Sequence, residues 1–342
     1  MGSVGTPIGD VPKVSSDLSW SDRLGSMKAR WGVGRMHYTV DPGLYALAEP
    51  NDQSPVLVTA NYKMSFDRLR GSMPNRNAWI LVLDTKGINV WCAAGKGTFG
   101  TDELIRRVET SELNRVVAHR QLILPQLAGP GVAAYTLKKR IGFKGIFGPI
   151  RAADLPKFLD SGLKATPAMR RKTFTLLERL ILIPVELVSA LKWSLLLLPV
   201  FLLLGGLGSP SGFWDGVWTD GFFAALNLLG ALLAGAVLTP ILLPWLPGRA
   251  FSQKGLIMGL ITALFLTVLG VFYLNIRKDF MNILAWLFLT PSLSAYLAMN
   301  FTGASTYTSL SGVKKEMRWA VPLEIVGGIL GLALWVGSRF VT

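Results

Sequence analysis

The sequence predicts an α/β domain followed by an all-α polytopic membrane domain of five transmembrane helices. Its 342 residues are 51% hydrophobic and only 16% charged, which is more apolar surface than soluble domains of ordinary composition carry. Of its basic and acidic residues, 26 and 15 precede residue 181, so this first part holds +11 of the net charge of +14. Short β-rich runs in the first part give way to long apolar runs in the second.

We divide the chain into four segments on these grounds. Residues 1–50 are predicted to be an N-terminal extension that packs on the soluble domain, and residues 51–165 are predicted to form the α/β domain. Residues 166–186 mix arginines with leucines and isoleucines, which predicts a linker or an interfacial helix. Residues 187–342 are predicted to form the membrane domain with its five transmembrane helices.

The α/β domain alternates β-rich runs with helical patterns, which is typical of a Rossmann-like, mostly parallel sheet. Strands are predicted at residues 56–60, 78–84, 116–124 and 143–147. Helices are predicted at residues 66–70, 101–109, 132–140 and 152–159. Because open α/β sheets bind ligands outside the carboxyl ends of their strands, we expect a binding site in the loops at residues 61–65, 85–97, 125–131 and 148–151.

The second part of the chain contains five apolar runs of about 20 residues, the length that crosses a bilayer. They lie at residues 187–207, 222–246, 255–276, 280–299 and 319–338. Residues 1–30 have no continuous apolar core, so no secretory signal is predicted. Since basic loops stay in the cytoplasm, we expect the cytoplasmic (inner) membrane, the N-terminal domain in the cytoplasm and the C-terminus outside. Arg277 and Lys278 would then face outside, against this rule.

The connection at residues 300–318 is rich in hydroxyl groups and long for a connector. It is either a solvated loop or a docking surface on the cytoplasmic side, with Thr306, Tyr307, Ser309 and Lys314 accessible there.

Ionisable residues inside a bilayer commonly mark substrate routes. The predicted spans offer Glu324, Lys192 and Glu186, which we place near span ends where they could reach the interface. We therefore favour a membrane anchor over a transporter.

One loop of the α/β domain carries a candidate reactive group. Residues 89–96 read Asn-Val-Trp-Cys-Ala-Ala-Gly-Lys, and Cys92 is the one cysteine of the chain, which excludes an intrachain disulfide. A lone cysteine is commonly a small buried hydrophobe. Here Cys92 follows Asn89, a predicted helix N-cap, and precedes Lys96, so a first-turn position would favour its thiolate. We therefore predict a thiolate that needs a metal or an electrophile.

Other site classes fit the sequence less well. A phosphate-binding P-loop would need Gly at position 90 and Ser or Thr at position 97, where the chain has Val90 and Gly97. The two histidines, His37 and His119, are expected to be structural, so metal chemistry would require a cofactor. Basic residues are scattered rather than clustered, so no nucleic-acid partner is predicted.

The run from Asn89 to Lys96 resembles, at every position, the cap-helix signature of the HgcA family, the corrinoid proteins of mercury methylation. The architecture is also similar, with a domain like the large subunit of the corrinoid iron–sulfur protein followed by a five-span membrane domain. The resemblance implies a cobalamin cofactor in base-off form with Cys92 as the lower axial ligand to cobalt. With the four loops, it gives as cofactor-binding residues Thr59, Asn61, Asp84, Thr85, Asn89, Val90, Trp91, Ala93, Ala94, Gly95, Lys96, Gln126, Leu127, Gly129, Gly131, Gly148 and Pro149.

The resemblance further implies a membrane-anchored corrinoid methyltransferase that transfers a methyl group from cobalt to Hg(II). A thiolate is a soft, strongly donating ligand, which would favour transfer as a carbanion equivalent or as a radical. The methyl donor would be of folate type and act through a separate methyltransferase. One cysteine cannot hold an iron–sulfur cluster. The resemblance implies a small two-cluster ferredoxin as the partner that would provide electrons and Hg(II).

Two alternatives stay open. One is a corrinoid methyl carrier of a one-carbon pathway with another native acceptor, and the other is a membrane transporter or a corrinoid-binding sensor without turnover. A carrier that donates a methyl cation has no need for a thiolate beneath cobalt. A transporter would need polar residues inside its spans.

Overall fold

A computed structural model describes residues 2–273, 279–304 and 310–340. The chain divides into two compact units, of which one holds residues 1–29 and 33–172 and the other residues 30–32 and 173–342. The first unit is a mixed α/β domain, and the second is helical.

The α/β domain is built on a seven-stranded sheet with the order β1-β2-β3-β5-β4-β6-β7. The strands are β1 (Ser3–Thr6), β2 (Gly9–Val14), β3 (Gly43–Leu47), β4 (Val56–Ala60), β5 (Ala78–Leu83), β6 (Gln121–Leu124) and β7 (Lys144–Phe147). Strands β5, β4, β6 and β7 are parallel, whereas β3 is antiparallel to β5. The strand order reverses between β4 and β6, and such a switch point is where open α/β sheets bind ligands.

The central strands are buried along their whole length. Strands β4 and β5 consist almost entirely of apolar residues, as expected for parallel strands covered by helices on both faces. Because side chains alternate between the faces, Val58 and Leu81 join one core cluster while Leu57 and Ile80 join another.

Seven helices accompany the sheet in the described part of the domain. They are α1 (Trp20–Arg30), α2 (Lys63–Gly71), α3 (Val90–Lys96), α4 (Thr101–Thr110), α5 (Leu113–Val116), α6 (Ala134–Ile141) and α7 (Leu155–Asp160). The helices predicted at residues 66–70, 101–109 and 132–140 are confirmed as α2, α4 and α6. The one predicted at residues 152–159 is a 3-10 turn, Ala152–Asp154, continued by α7.

Two features of the sheet differ from the prediction. The strand predicted at residues 116–124 is wrong in its first half, because Val116 ends α5 and is buried there rather than in the sheet. The first fifty residues contribute β1, β2 and β3 to the same sheet, and none of these strands was predicted. They are short, and β1 and β2 are largely exposed, so they show no clear apolar run.

The helical domain has five helices that are long and apolar enough to cross a membrane, the number that the apolar runs predict. In chain order these five long helices are Leu176–Gly205, Phe213–Leu242, Phe251–Tyr273, Phe280–Asn300 and Leu310–Gly337. The first begins with a capping box, in which Thr175 and Glu178 satisfy each other's backbone N–H groups. Residues 176–186 are therefore continuous with the first long helix.

The first two apolar runs leave residues 208–221 as the predicted loop between them, and this prediction is wrong beyond Gly212, because the second long helix begins at Phe213. Asp220 is buried in this helix and forms an ion pair with Arg339, which is also buried. A span predicted from apolar residues alone ends at an acidic residue such as Asp220. The ion pair with Arg339 neutralises this charge, so the helix can continue through it.

Two predictions for the fifth long helix are also corrected. The predicted loop at residues 300–318 ends by Leu310, where the helix begins, so Lys314 is helical, while Thr306, Tyr307 and Ser309 lie outside the described residues. Glu324 lies six residues after Arg318 in this helix, and its two carboxyl oxygens are buried. The carboxyl group is therefore enclosed by the domain instead of extending from it.

Candidate functional site

Helix α3, the cap helix, presents the cysteine. The Oδ1 atom of Asn89 accepts a hydrogen bond from the backbone N–H of Cys92 at 3.0 Å, which confirms Asn89 as the N-cap. The helix ends at Gly97, whose φ of 82° lies in the left-handed region that glycine tolerates. Cys92 is thus held in the first turn of a short helix by a side chain three residues before it.

The cap helix has two distinct faces. Ala93 and Ala94 are buried in the core, and Val90 packs against the same cluster. On the other face Cys92 is half-buried, and Trp91, Gly95 and Lys96 are exposed. A Cβ atom added to Gly95 would meet no atom within 4 Å. The backbone one turn after the sulfur is therefore bare, and a large flat group could approach Cys92 over it.

The turn before the cap helix is fixed by Asn61, at the end of β4. Its Oδ1 atom accepts hydrogen bonds from the N of Thr85 (3.1 Å), the Oγ1 of Thr85 (2.8 Å) and the N of Gly87 (3.0 Å). Asn61, Thr85 and Thr59 are all buried. Asn61 and Thr85 therefore bind each other and fix the path of the chain toward Asn89.

Asp84 and Glu103 set the charge beside this turn. Asp84 pairs with Lys86 at 2.6 Å, and this hydrogen bond holds the pKa of Asp84 below its ordinary value. The N of Asp84 donates to Glu103 at 2.8 Å. Burial raises the pKa of Glu103, but the hydrogen bonds from Asp84, Arg106 and Arg107 outweigh it and lower the pKa. Both acids are therefore carboxylates at neutral pH.

Glu103 is a residue of the site region that sequence reasoning missed. It lies in the first turn of α4, where acids are common for helix-dipole reasons alone. The signal that could have found it is its place in a helix immediately after the loop at residues 85–97.

The loop at residues 125–131 packs directly on the cap helix. A Cβ atom on Gly131 would lie 2.2 Å from the carbonyl oxygen of Phe99 and 3.1 Å from the Cα of Ala94. Thr101 joins the same segments, because its Oγ1 accepts from the N of Ala133 at 2.9 Å and lies 3.5 Å from the O of Gly131. This close packing of the loop on the cap helix therefore requires a glycine at position 131.

The remaining predicted residues lie around the same edge of the sheet. Gln126 accepts a hydrogen bond from Arg170, and Leu127 is half-buried, whereas Gly129 is exposed. Gly148 and Pro149 are buried just after β7, the edge strand. The structure therefore brings together the ends of β4, β5 and β6 around the cap helix, with the end of β7 at one side.

His119 contacts the backbone of neighbouring segments, whereas His37 is exposed. The Nε2 of His119 lies 2.9 Å from the O of Ser54, and the N of Gln121 donates to its Nδ1 at 3.3 Å. His37 ends a short 3-10 turn. Among the described residues, no group of three or more His, Cys, Asp or Glu side chains could hold a metal ion.

These residues fit a corrinoid in two respects. Cys92 offers one soft sulfur donor, which is suited to a metal whose other positions are filled by a macrocycle. The bare backbone at Gly95 leaves open space on the exposed face of the cap helix, one turn after the sulfur.

Comparisons with known proteins concern the α/β domain. Residues 33–158 match the sequence model of the family described as CO dehydrogenase/acetyl-CoA synthase delta subunit. The chain is 29% identical over 123 residues to the acetyl-CoA decarbonylase/synthase complex subunit gamma of Methanopyrus kandleri. It is 33% identical over 96 residues to the subunit of the same name from Methanocaldococcus jannaschii.

The matches cover only part of this chain and only part of each relative. They cover 35% and 28% of this chain, and 26% and 20% of the two relatives. The chain thus spans about a quarter of the length of the curated relatives that it matches. They support a corrinoid-protein domain in the soluble part of the chain.

Proposed function

We propose that this chain is a membrane-anchored corrinoid methyltransferase that forms methylmercury from Hg(II). The similarity of residues 33–158 to the CO dehydrogenase/acetyl-CoA synthase delta subunit family supports the corrinoid part of this proposal. The observation that carries the proposal is the capped, half-buried Cys92 at the ligand-binding edge of the sheet. The signature at residues 89–96 supports the mercury substrate in particular.

The proposal assigns separate tasks to the residues of the site. Cobalamin, when bound, supplies the cobalt that carries the methyl group to the Hg(II) substrate. Cys92 would hold the cobalt through its sulfur, and Asn89 fixes the turn that presents this sulfur. Asn61 and Gly131 hold the loops on either side in place. The protein thus contributes a ligand, its orientation and a shaped surface, as cofactor proteins generally do.

The five long helices are proposed to cross the cytoplasmic membrane, with the α/β domain inside and the C-terminus outside. The proposed partners are a two-cluster ferredoxin, which supplies electrons and Hg(II), and a methyltransferase that brings the methyl group from a folate-type donor. The chain has one cysteine, so an iron–sulfur cluster for electron transfer has to be supplied by another protein.

Cobalamin binding can be tested with purified full-length protein in detergent. We expect base-off cobalamin with a sulfur-to-cobalt absorption band in the oxidised protein, and loss of this band in Cys92→Ala. Cys92→Ser is the matched control, because it keeps the size of the side chain but replaces the soft sulfur by a hard oxygen. An unchanged spectrum in Cys92→Ala would remove Cys92 as the ligand.

Mercury methylation is tested in the same preparation. Wild-type protein loaded with methylcobalamin and supplied with Hg(II) is expected to form methylmercury, and Cys92→Ala is expected to lose nearly all of this product. If both proteins form the product at the rate of free methylcobalamin, the proposed activity is wrong.

The second candidate function is a methyl carrier of a one-carbon pathway. It is favoured by the names of the relatives, which are subunits of acetyl-CoA decarbonylase/synthase complexes. A carrier of this kind delivers a methyl cation to a nucleophile. It would therefore methylate a thiol such as 2-mercaptoethanol in Cys92→Ala as well as in wild type, and it would not prefer Hg(II).

Membrane orientation is tested by cysteine labelling of intact cells in a Cys92→Ser background. Ser211 lies between the first and second long helices and Arg249 between the second and third, and both are exposed. An impermeant maleimide is expected to label Ser211→Cys but not Arg249→Cys. The reverse pattern would place the α/β domain outside.

A further inference from the structure

The helical domain contains a cavity of about 360 Å³ that none of the proposed chemistry uses. It is lined by residues of the first, second, fourth and fifth long helices, and most of its lining is apolar, with Phe201, Leu228, Leu289 and Val321 as examples. This volume suits a molecule of one or two rings.

Two of the polar residues in the lining are satisfied by each other and by the backbone. The Nδ2 of Asn227 donates to the O of Phe223 at 3.0 Å. Its Oδ1 accepts from the Oγ1 of Thr290 at 3.1 Å. Asn227 and Thr290 are both buried, so they need no ligand.

Two others have no partner among the residues that the structure describes. Trp286 is only 2% exposed, and its Nε1 has no hydrogen-bond acceptor. Both carboxyl oxygens of Glu324 are buried and lack partners as well. Because buried polar groups are costly when unsatisfied, these atoms at a mostly apolar cavity indicate a ligand that completes their hydrogen bonds.

The position of Glu324 limits the kind of ligand. It lies six residues after Arg318, about 9 Å further along the fifth long helix, which places it within the hydrocarbon region of a bilayer that this helix spans. Leu197, Tyr296 and Ile325 line the cavity and are exposed on the outer surface of the domain. A ligand can therefore enter from the lipid.

We infer that this cavity binds a neutral lipophilic molecule with hydrogen-bond-accepting carbonyl groups, of the chemical class of the quinones. An indole N–H only donates, so Trp286 requires an acceptor on the ligand. A neutral carboxyl group at Glu324 donates to a second carbonyl, and the apolar walls bury the rings. This inference rests on the proposed membrane insertion and is independent of the corrinoid and of mercury.

The experiment uses full-length protein in nanodiscs of ether-linked phospholipid, which has no carbonyl groups, with menadione as the probe. We expect saturable binding at one site and a menadione-dependent shift of a carboxyl infrared band that Glu324→Gln removes. Glu324→Leu is expected to weaken binding at least tenfold.

A cavity-filling variant tests the location of the site. A Cβ atom on Gly328 would meet nothing within 4 Å, and Gly328 lines the cavity, so Gly328→Leu fills it without a clash at the backbone. We expect this variant to lose saturable binding. Leu323→Phe adds volume on the exposed face of the same helix and is expected to bind as wild type does.

Three results would overturn the inference: menadione that only partitions into the disc, wild-type binding in Gly328→Leu, or loss of binding in discs of ester phospholipid. The last result would assign the cavity to a membrane lipid. The cobalamin spectrum of the same samples is recorded in parallel. A missing sulfur band there contradicts the proposed function and leaves the cavity inference standing.

Discussion

The two domains treat their buried charged groups differently. In the α/β domain Asp22, Lys63, Asp67 and Arg70 form a closed network, with N···O distances of 2.6 to 2.8 Å. Burial raises the pKa of Asp22, but hydrogen bonds from Lys63, Ser19 and Arg70 outweigh it and hold the pKa well below its usual range. Each carboxylate of the network has a cation beside it.

The helical domain shows both a paired and an unpaired case. Arg339 forms an ion pair with the buried Asp220, whereas the buried carboxyl of Glu324 has no partner among the described residues. The comparison teaches that a closed set of partners marks a structural role for a buried charge. The carboxyl group without a partner lies beside the cavity for which we propose a ligand.

The largest expected effect concerns the ion pair between Asp220 and Arg339 in the helical domain. Arg339→Leu removes the cation that neutralises Asp220, and breaking a buried ion pair on one side costs about 3–5 kcal/mol. The double variant Asp220→Leu, Arg339→Leu should recover most of this loss, because two apolar side chains need no pairing. Thermal unfolding in detergent measures both, and equal stability of wild type and Arg339→Leu would refute a structural role for the pair.

A smaller effect is expected at Asn61 in the α/β domain. Asn61→Ala leaves the buried N–H of Thr85 and that of Gly87 without their acceptor, which costs about 1–3 kcal/mol. Hydrogen exchange of residues 85–97 should become about tenfold faster or more. The matched control is Asn114→Ala, at an exposed position, where exchange at residues 85–97 should not change. Unchanged exchange in both variants would show that Asn61 does not hold the turn.

Loss of the cap at Asn89 should cost about 0.5–2 kcal/mol, as for other helix N-caps. We expect Asn89→Ala to lower methyl transfer more than cobalamin affinity, since the hydrogen bond to Cys92 sets the position of the sulfur. Asn89→Asp can still cap the helix and serves as the control. Equal losses of transfer and affinity would instead indicate direct contact between Asn89 and the cofactor.

The smallest expected effect is a pH dependence at Glu103. Its pKa is lower in the folded protein than in the unfolded chain, so its stabilising contribution is present above about pH 4.3 and lost as the pH falls below that value. The difference in unfolding temperature between wild type and Glu103→Gln should be constant from pH 7 to pH 5 and shrink below pH 4. A difference that grows on acidification would contradict the hydrogen bonds assigned to Glu103.

Local patterns explain which parts of the structure the sequence predicts. The apolar runs of β4 and β5 and the N-cap at Asn89 depend on residues within one strand or one turn, and the structure has all three. The exposed strands β1 and β2 depend on pairing with other strands, which no local pattern records.

Contacts between distant residues explain what the sequence does not predict. Asn61 binds the backbone 24 and 26 residues later, and Asp220 pairs with a residue 119 positions away. Both residues are polar in segments where polarity alone suggests a loop or a solvent-exposed position. Burial of the carboxyl oxygens of Glu324 likewise depends on packing between helices, which an apolar run does not record.

The close approach at Gly131 has a mechanical consequence for the sulfur of Cys92. Backbone rests on backbone there, because the Cα of Ala94 and the carbonyl of Phe99 occupy the space that a side chain at position 131 would need. No rotatable side chain acts as a spacer between the cap helix and the neighbouring loop at this point. The distance between the cap helix and this loop is thus set by direct backbone contact, so any side chain at position 131 would push the two segments apart and displace the helix that carries Cys92.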